Sequence, residues 1–254
     1  MRMTHETQRA LERDPTPRPV IGSILDGALV LPQVQRWLAR ASALRRALRV
    51  LDWCAGAGPW ASEFRRRFPS AVIWAVELYG PDLRYLRNWA DHPLIGDWTL
   101  ALEHAPPGGY DLVIGNPAFS LLTADRGRHP STAAVVRLMR VSPIVIALHT
   151  IEVLHRSEAG RWLARHRPPR FQLDIPGGIN FRGTQELNPE TGDSWGSDSR
   201  SYAAYVWLRD WRGLGWNRRT LPELPPEARA WRQRPGTETR AQALALGLPR
   251  MGDR

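Results

Sequence analysis

Seven short runs rich in aliphatic and β-branched residues recur along the chain, most of them separated by a helical pattern. That alternation limits the fold more than any other feature. Arg49–Cys54 (RVLDWC) and residues 71–78, 94–98, 110–117, 143–150, 170–175 and 201–208 read as strands. Between them, residues 32–47 place Leu31, Val34, Trp37, Leu38 and Ala41 at three- and four-residue spacing, with Pro32 in the first helical turn. Helical patterns also cover PWASEFRRRF after Gly58, DLRYLRNWA after Pro81, residues 131–140 and residues around 152–166. Strand alternating with helix implies an α/β fold, a mostly parallel sheet covered on both faces. The last two strands are too close in sequence for a helical crossover, so they are expected as an antiparallel pair at one edge. The expected organisation is a mobile arm over 1–19, a main domain over 20–211 and a basic Pro/Arg-rich extension over 212–254, with a short helix near 237–247.

Charge narrows the partners. Thirty-five basic residues against 25 acidic ones give +10, and no lysine occurs, so every basic side chain is arginine. A surplus of that size favours a polyanion, nucleic acid first, although arginine alone is also what a coding bias would produce. The one cysteine, Cys54, excludes an internal disulfide and a cysteine-cluster zinc site. The chain shows no apolar run of membrane-spanning length and no apolar signal core, so a cytoplasmic setting is expected. No metal site is expected. His149 and His155 lack ligand spacing with carboxylates and read as ordinary surface or core histidines.

Two turns carry chemistry. In the first, Val50–Trp60, an apolar strand enters the small-residue turn Cys54-Ala55-Gly56-Ala57-Gly58 and a helix leaves it. Such a turn lies at the carboxyl edge of an open sheet, where ligands bind. Small residues let a ligand approach the backbone, and the helix N-terminus offers N–H groups. The spacing is neither GxxxxGK[ST] nor GxGxxG; Cys54 stands where the first glycine of the latter would be. Glu77, about twenty residues on at the end of the next strand, is placed to accept from ribose hydroxyls. Asp97, after the third strand, could accept from an adenine amine. A tight strand–helix connection explains the turn alone equally well.

In the second, strand residues 111–115 run into Asn116-Pro117-Ala118-Phe119. Pro117 stiffens the turn and leaves its carbonyl as an acceptor. The Asn116 amide oxygen is a second acceptor, and Phe119 offers a stacking face. Two acceptors gripping one NH2 group orient its nitrogen lone pair outward, as methyl transfer to an amine requires. A plain Asn-Pro turn with Phe119 in the core is the simpler alternative.

Together the motifs Asp52–Gly58 (DxCAGxG) and Asn116–Phe119 (NPxF) resemble the class I S-adenosylmethionine-dependent methyltransferases, and among them the amino-group methyltransferases of DNA adenine. The resemblance covers about residues 20–210. It implies a Rossmann-like seven-stranded sheet with an antiparallel edge hairpin, and S-adenosyl-L-methionine as cofactor. It implies that Asp52, Ala55, Gly56 and Gly58 form the cofactor turn, with Glu77 on the ribose and Asp97 on the adenine. Asn116 and the Pro117 carbonyl would hold the target amine, and Phe119 would stack on the flipped base. Most members have a second proline where this chain has Ala118, and no large recognition domain follows. Discrimination among sequences would then fall to the 176–200 loop, where Arg182, Trp195 and Arg200 combine charge with a stacking surface, to the basic tail or to a partner chain.

The expected activity is methyl transfer to the exocyclic amine of adenine in DNA. RNA bases, protein glutamine amides and a catalytically inactive nucleic-acid-binding subunit are the alternatives. The run Arg65-Arg66-Arg67 is expected to be a solvated face turned away from the turn, with phosphate contact as the alternative.

Overall fold

The computed structural model describes residues 18–56, 58–78, 86–117, 120–122, 128–176, 179 and 201–223. Two helices, α1 (Arg18–Leu29) and α2 (Pro32–Ala43), precede the first strand, β1 (Arg49–Trp53). Then follow α3 (Pro59–Arg67), β2 (Val72–Glu77), β3 (His92–Ile95), the short α4 (Leu100–Glu103) and β4 (Leu112–Gly115). A small hairpin of β5 (Ser120–Leu122) and β6 (Arg128–Pro130) leads into α5 (Ser131–Val141) and β7 (Ile144–Thr150). The chain continues through α6 (Val153–Arg156), α7 (Glu158–His166), β8 (Phe171–Asp174), β9 (Tyr202–Leu208) and β10 (Asn217–Thr220).

Eight of these strands form one sheet in the order β10-β8-β9-β7-β4-β1-β2-β3. Every neighbouring pair is parallel except the two that involve β9, which runs against β7 on one side and β8 on the other. The architecture is the expected α/β sheet, and β8 and β9 are the expected antiparallel pair near an edge. It carries one strand more than the seven expected: β10 comes from the Pro/Arg-rich stretch after residue 211 and pairs in parallel with β8. Its residues Asn217–Thr220 are exposed along their length, so no apolar alternation marks them in the sequence.

Each face of the sheet has its own apolar layer. On one, Val50, Ile73, Ile114, Ile146 and Val206 pack under α1, α2 and α3. On the other, Leu51, Val113, Val145, Tyr205 and Trp207 pack under α5 and α7. Period-two alternation along β1, β4, β7 and β9 sorts the side chains between the layers. Helix α1 buries Val20, Ile21, Ile24, Leu25 and Ala28 completely, each side chain contributing roughly 1–3 kcal/mol of apolar burial. The sequence reading does not contain this helix and assigns its first residues to the arm. Two glycines, Gly22 and Gly27, and Pro19 interrupt its pattern, and tertiary burial overrides them.

Helix α2 ends earlier than the expected residue 47. Leu44 N–H donates back to Arg40 and Ala41, and Arg45 turns to φ +50°, which closes the helix with no glycine to announce it. The helical stretch at 152–166 is two pieces. Ser157 takes extended backbone and its hydroxyl accepts from Gly160 N–H at 2.9 Å, capping α7. Among the described residues, no helix is long and apolar enough to cross a membrane. The expected arm over 1–17, the helix opened by Pro81 up to residue 85, and the helix near 237–247 lie outside the described residues, as do Ala118, Phe119, Arg182, Trp195 and Arg200.

Candidate functional site

The small-residue turn follows β1 at the carboxyl edge of the sheet, and β2 pins it there. Ala55 N–H donates to the Val76 carbonyl at 2.9 Å, and Gly56 N–H donates to Glu77 Oε2 at 2.7 Å. Gly58 N–H closes the turn on the Ala55 carbonyl at 2.9 Å. Cys54, Gly56 and Gly58 all take positive φ, at +60°, +53° and +87°. Cys54 thus adopts the conformation that a glycine would take without strain, at a cost of order 1 kcal/mol. A side chain at Gly56 would meet nothing within 4 Å, so this peptide borders open space.

Asp52 joins the turn to the helix. Gly58 is the N-cap of α3 and Pro59 its first residue, with no side-chain cap of their own. Asp52 Oδ2, reaching from β1, accepts the Ala61 N–H at 2.9 Å and so satisfies one of the helix's orphan donors. The other oxygen, Oδ1, is buried with no hydrogen-bond partner. Burial pushes the Asp52 carboxyl well above the usual carboxylate range; the Ala61 N–H opposes this in part, and the negative charge of Glu77 adds to it.

The neighbouring strands bring the remaining candidates to the same edge. Glu77 pairs in register with Ile95, and Gly96 N–H donates to the Glu77 carbonyl at 2.9 Å, which sets Asp97 one residue further on. Asp97 Oδ1 accepts the Thr99 N–H at 2.7 Å and the Thr99 hydroxyl, anchoring the turn into α4. Part of its acceptor capacity therefore serves the fold. On the other side of β1, Asp52 pairs with Ile114 of β4. Gly115 then lies against Trp53 so closely that a β-carbon there would be 2.3 Å from the Trp53 carbonyl oxygen. Asn116 and Pro117 leave β4 beside the point where Cys54 leaves β1, with Asn116 partly and Pro117 fully buried. Asp52, Ala55, Gly56, Gly58, Glu77, Asp97, Asn116 and Pro117 thus converge on the carboxyl ends of β1 to β4.

One group at this edge has no counterpart among the expected site residues. His149, near the end of β7, is fully buried on the α5 face, and neither ring nitrogen has a hydrogen-bond partner. Burial lowers its pKa to about 4, so the ring is neutral at physiological pH. Trp53 Nε1 and Thr132 Oγ1 are likewise buried and unpartnered. No motif in the sequence points to these groups, which lie on β1, β7 and α5. Among the described residues no group of His, Cys, Asp and Glu could hold a metal ion.

The arginine run on α3 is a correction. Instead of a solvated face, Arg65 bridges to Asp91 at 2.6 Å and Arg67 to Asp26 at 2.8 Å, while Arg66 and Arg67 both hold Glu63. Arg65 and Arg67 tie α3 to its neighbours, and only Arg66 is largely open to solvent.

No family model and no curated protein matches the sequence. Solved structures with a similar chain path include a protein of Thermoplasma acidophilum, at 12% identity and TM-score 0.44, matched over 75% of this chain and 96% of that one. A TehB-like SAM-dependent methyltransferase from Corynebacterium glutamicum matches at 13% identity and TM-score 0.39, over 69% of this chain and 95% of its own. The Pyrococcus abyssi tRNA (uracil-54, C5)-methyltransferase, in complex with S-adenosyl-L-homocysteine, matches at 13% and 0.39, over 69% of this chain and 37% of its own. Likeness this distant carries no argument about the activity of this chain.

Proposed function

We propose that this protein transfers a methyl group from S-adenosyl-L-methionine to the exocyclic amine of a nucleic-acid base, with adenine in DNA as the target. The observation that carries the reading is the adjacency of the two turns: β1 and β4 are neighbours, so the glycine turn and Asn116-Pro117 leave the sheet side by side at its carboxyl edge.

The residues present fit the cofactor. The peptide at Gly56 borders open space, and Asp52 Oδ1 is a buried acceptor or hydroxyl donor without a partner. Ala55, Gly56 and Gly58 would lie against the methionine portion, Glu77 would accept from the ribose hydroxyls, and Asp97 would accept from the adenine amine. When bound, the sulfonium supplies an electrophilic methyl group. The chain's own task is to hold the nucleophile. Asn116 through its amide oxygen and Pro117 through its carbonyl would each accept one hydrogen of the target NH2, which fixes the nitrogen lone pair. Phe119 would supply a stacking face, and a duplex base would have to leave its helix to reach it. Arginine-rich charge supports a nucleic-acid substrate over a protein amide, since a protein does not call for +10.

Incubation with methyl-labelled cofactor and, separately, DNA, RNA and total protein tests the reading. Label is expected in the adenine of DNA. Label in RNA alone or in protein alone would move the substrate to that class, and cofactor binding with no label anywhere would leave the inactive-subunit alternative.

A further inference from the structure

A concavity lined in part by arginines lies at the opposite, amino end of the sheet. Its volume is about 290 Å³, at the low end for small-ligand pockets. It is walled by α2 and by the residues that begin β1, precede β4 and β7, and follow β9. Four arginines, Arg40, Arg46, Arg49 and Arg209, line it together with Trp37 and a single carboxylate, Asp111.

The four arginines differ in how far the fold commits them. Arg46 is committed to the fold: its Nη1 and Nη2 each donate to Asp111 at 2.6 Å. Arg49 is half committed. Its Nη1 donates to the Pro107 carbonyl, while its Nε is buried and meets no acceptor. Arg40 and Arg209 donate to no carboxylate within hydrogen-bond distance among the described residues. The Arg40 guanidinium lies over the Trp37 ring at 5.4 Å, and Arg209 has only the exposed Asp210 at 3.8 Å. Asp111 is paired with Arg46, so the lining keeps three further arginines with no second lining carboxylate among the described residues. An indole beside open guanidinium donors matches a phosphodiester with an unstacked base.

We infer that this amino-edge concavity binds a backbone phosphate of the nucleic-acid substrate, so that one strand is anchored at both ends of the sheet. The inference rests on the nucleic-acid reading above and extends it to a surface on the far side of the molecule from the proposed chemistry. The two open arginines lie on separate elements, the end of α2 and the end of β9, and both flank the same space. An accidental coding surplus of arginine has no reason to place, around one concavity, two guanidinium groups that hydrogen-bond to no carboxylate among the described residues.

The test compares the full chain with Arg40→Gln/Arg209→Gln and with a control of equal charge loss, Arg156→Gln/Arg165→Gln, on α6 and α7. Binding of 30-nucleotide DNA and RNA strands is measured by fluorescence anisotropy from 0.05 to 0.3 M salt. Cofactor affinity and melting temperature are measured on the same proteins. Loss of two phosphate contacts is expected to weaken binding about tenfold at low salt and to flatten the log–log salt slope by about 1–2. The control should bind within about twofold of the parent, and cofactor affinity and melting temperature should hold in both. Which of DNA and RNA shows the effect identifies the strand. Equal weakening in the two double variants, or none in Arg40→Gln/Arg209→Gln while the parent binds, overturns the inference and leaves the methyltransferase reading standing. A parent that binds cofactor but neither strand overturns the inference together with the nucleic-acid part of that reading.

Discussion

The two ends of the sheet hold the same side chain in opposite states. Asp111, just before β4 at the amino end, receives two bonds from the Arg46 guanidinium at 2.6 Å and one from the Arg49 N–H at 2.8 Å. Burial alone would raise its pKa, but those donors outweigh burial and hold the carboxyl below its usual range. Asp52, in β1 toward the carboxyl end, is wholly buried, receives one backbone N–H, and faces the charge of Glu77; its carboxyl is pushed far up. Donor count separates the two. The amino-end acid is satisfied within the fold and belongs to its stability. At the carboxyl end Asp52 Oδ1 is buried without a partner, Cys54 takes a positive φ and the peptide at Gly56 borders open space, and the proposed ligand site rests on these three features together.

The strongest way to break this contrast is at Asn116. Asn116→Ala is expected to lose ~10²–10³ in single-turnover methyl transfer, since the proposed role makes it an acceptor that holds the target amine, with cofactor affinity and melting temperature nearly unchanged. Full transfer by a stable Asn116→Ala protein would remove the amine-holding role from this turn. At the amino end, Asp111→Ala should lower unfolding stability by about 2–3 kcal/mol in urea denaturation, because it strands a partly buried guanidinium and the Arg49 N–H. Its cofactor affinity should not move; a coupled loss of both would mean that the two ends do not divide the work. Glu77→Ala is the mirror experiment. Weakening of cofactor binding by ~1–3 kcal/mol is expected by calorimetry, and unchanged affinity in a folded variant would take Glu77 out of the site.

pH sharpens the same pair. The folded carboxyl of Asp52 titrates above its unfolded value. Wild-type stability from this group is therefore complete below about pH 4 and declines as pH rises toward the folded pKa. Asp52→Asn keeps an acceptor for Ala61 and removes the titration. Its advantage over the parent should grow with pH by about 1.4 kcal/mol per unit in that window, measured without cofactor. Asp111 has the opposite sign: its contribution is present above the unfolded carboxylate pKa and fades as pH falls, so Asp111→Asn should cost more at pH 7 than at pH 3. The smallest effect is expected at Cys54. Cys54→Gly should stabilise by up to about 1 kcal/mol through relief of the positive φ, whereas Cys54→Val should destabilise. Equal melting temperatures for the two would show that this turn stores no backbone strain.

Most of the sheet was legible because its signals are local. The apolar runs from Arg49 to Leu208 are short, rich in aliphatic and β-branched residues and bounded by turn residues, and each one named is a strand near its expected place. The small-residue turn was legible for the same reason: Ala55, Gly56 and Gly58 are small residues between a strand and a proline-opened helix. Position along the chain also placed Glu77 and Asn116 at strand ends, and parallel pairing of β1 with β2 and β4 then gathered them.

What tertiary structure decided is what depends on residues far apart. Helix α1 forms against Gly22 and Gly27 because Val20, Ile21, Ile24 and Leu25 find a core to enter. Strand β10 exists because β8 offers it an open edge, not because Asn217-Arg218-Arg219-Thr220 looks like a strand. The cap of α3 comes from Asp52 nine residues earlier, and the Arg46–Asp111 pair joins residues 65 apart. Which arginines are spent on carboxylates and which stay open cannot be read from composition. The sequence by itself therefore determined the strand–helix alternation, the two turns and the sign of the charge. Only folding in three dimensions decided how those charges pair, since pairing is set by distances that no local pattern encodes.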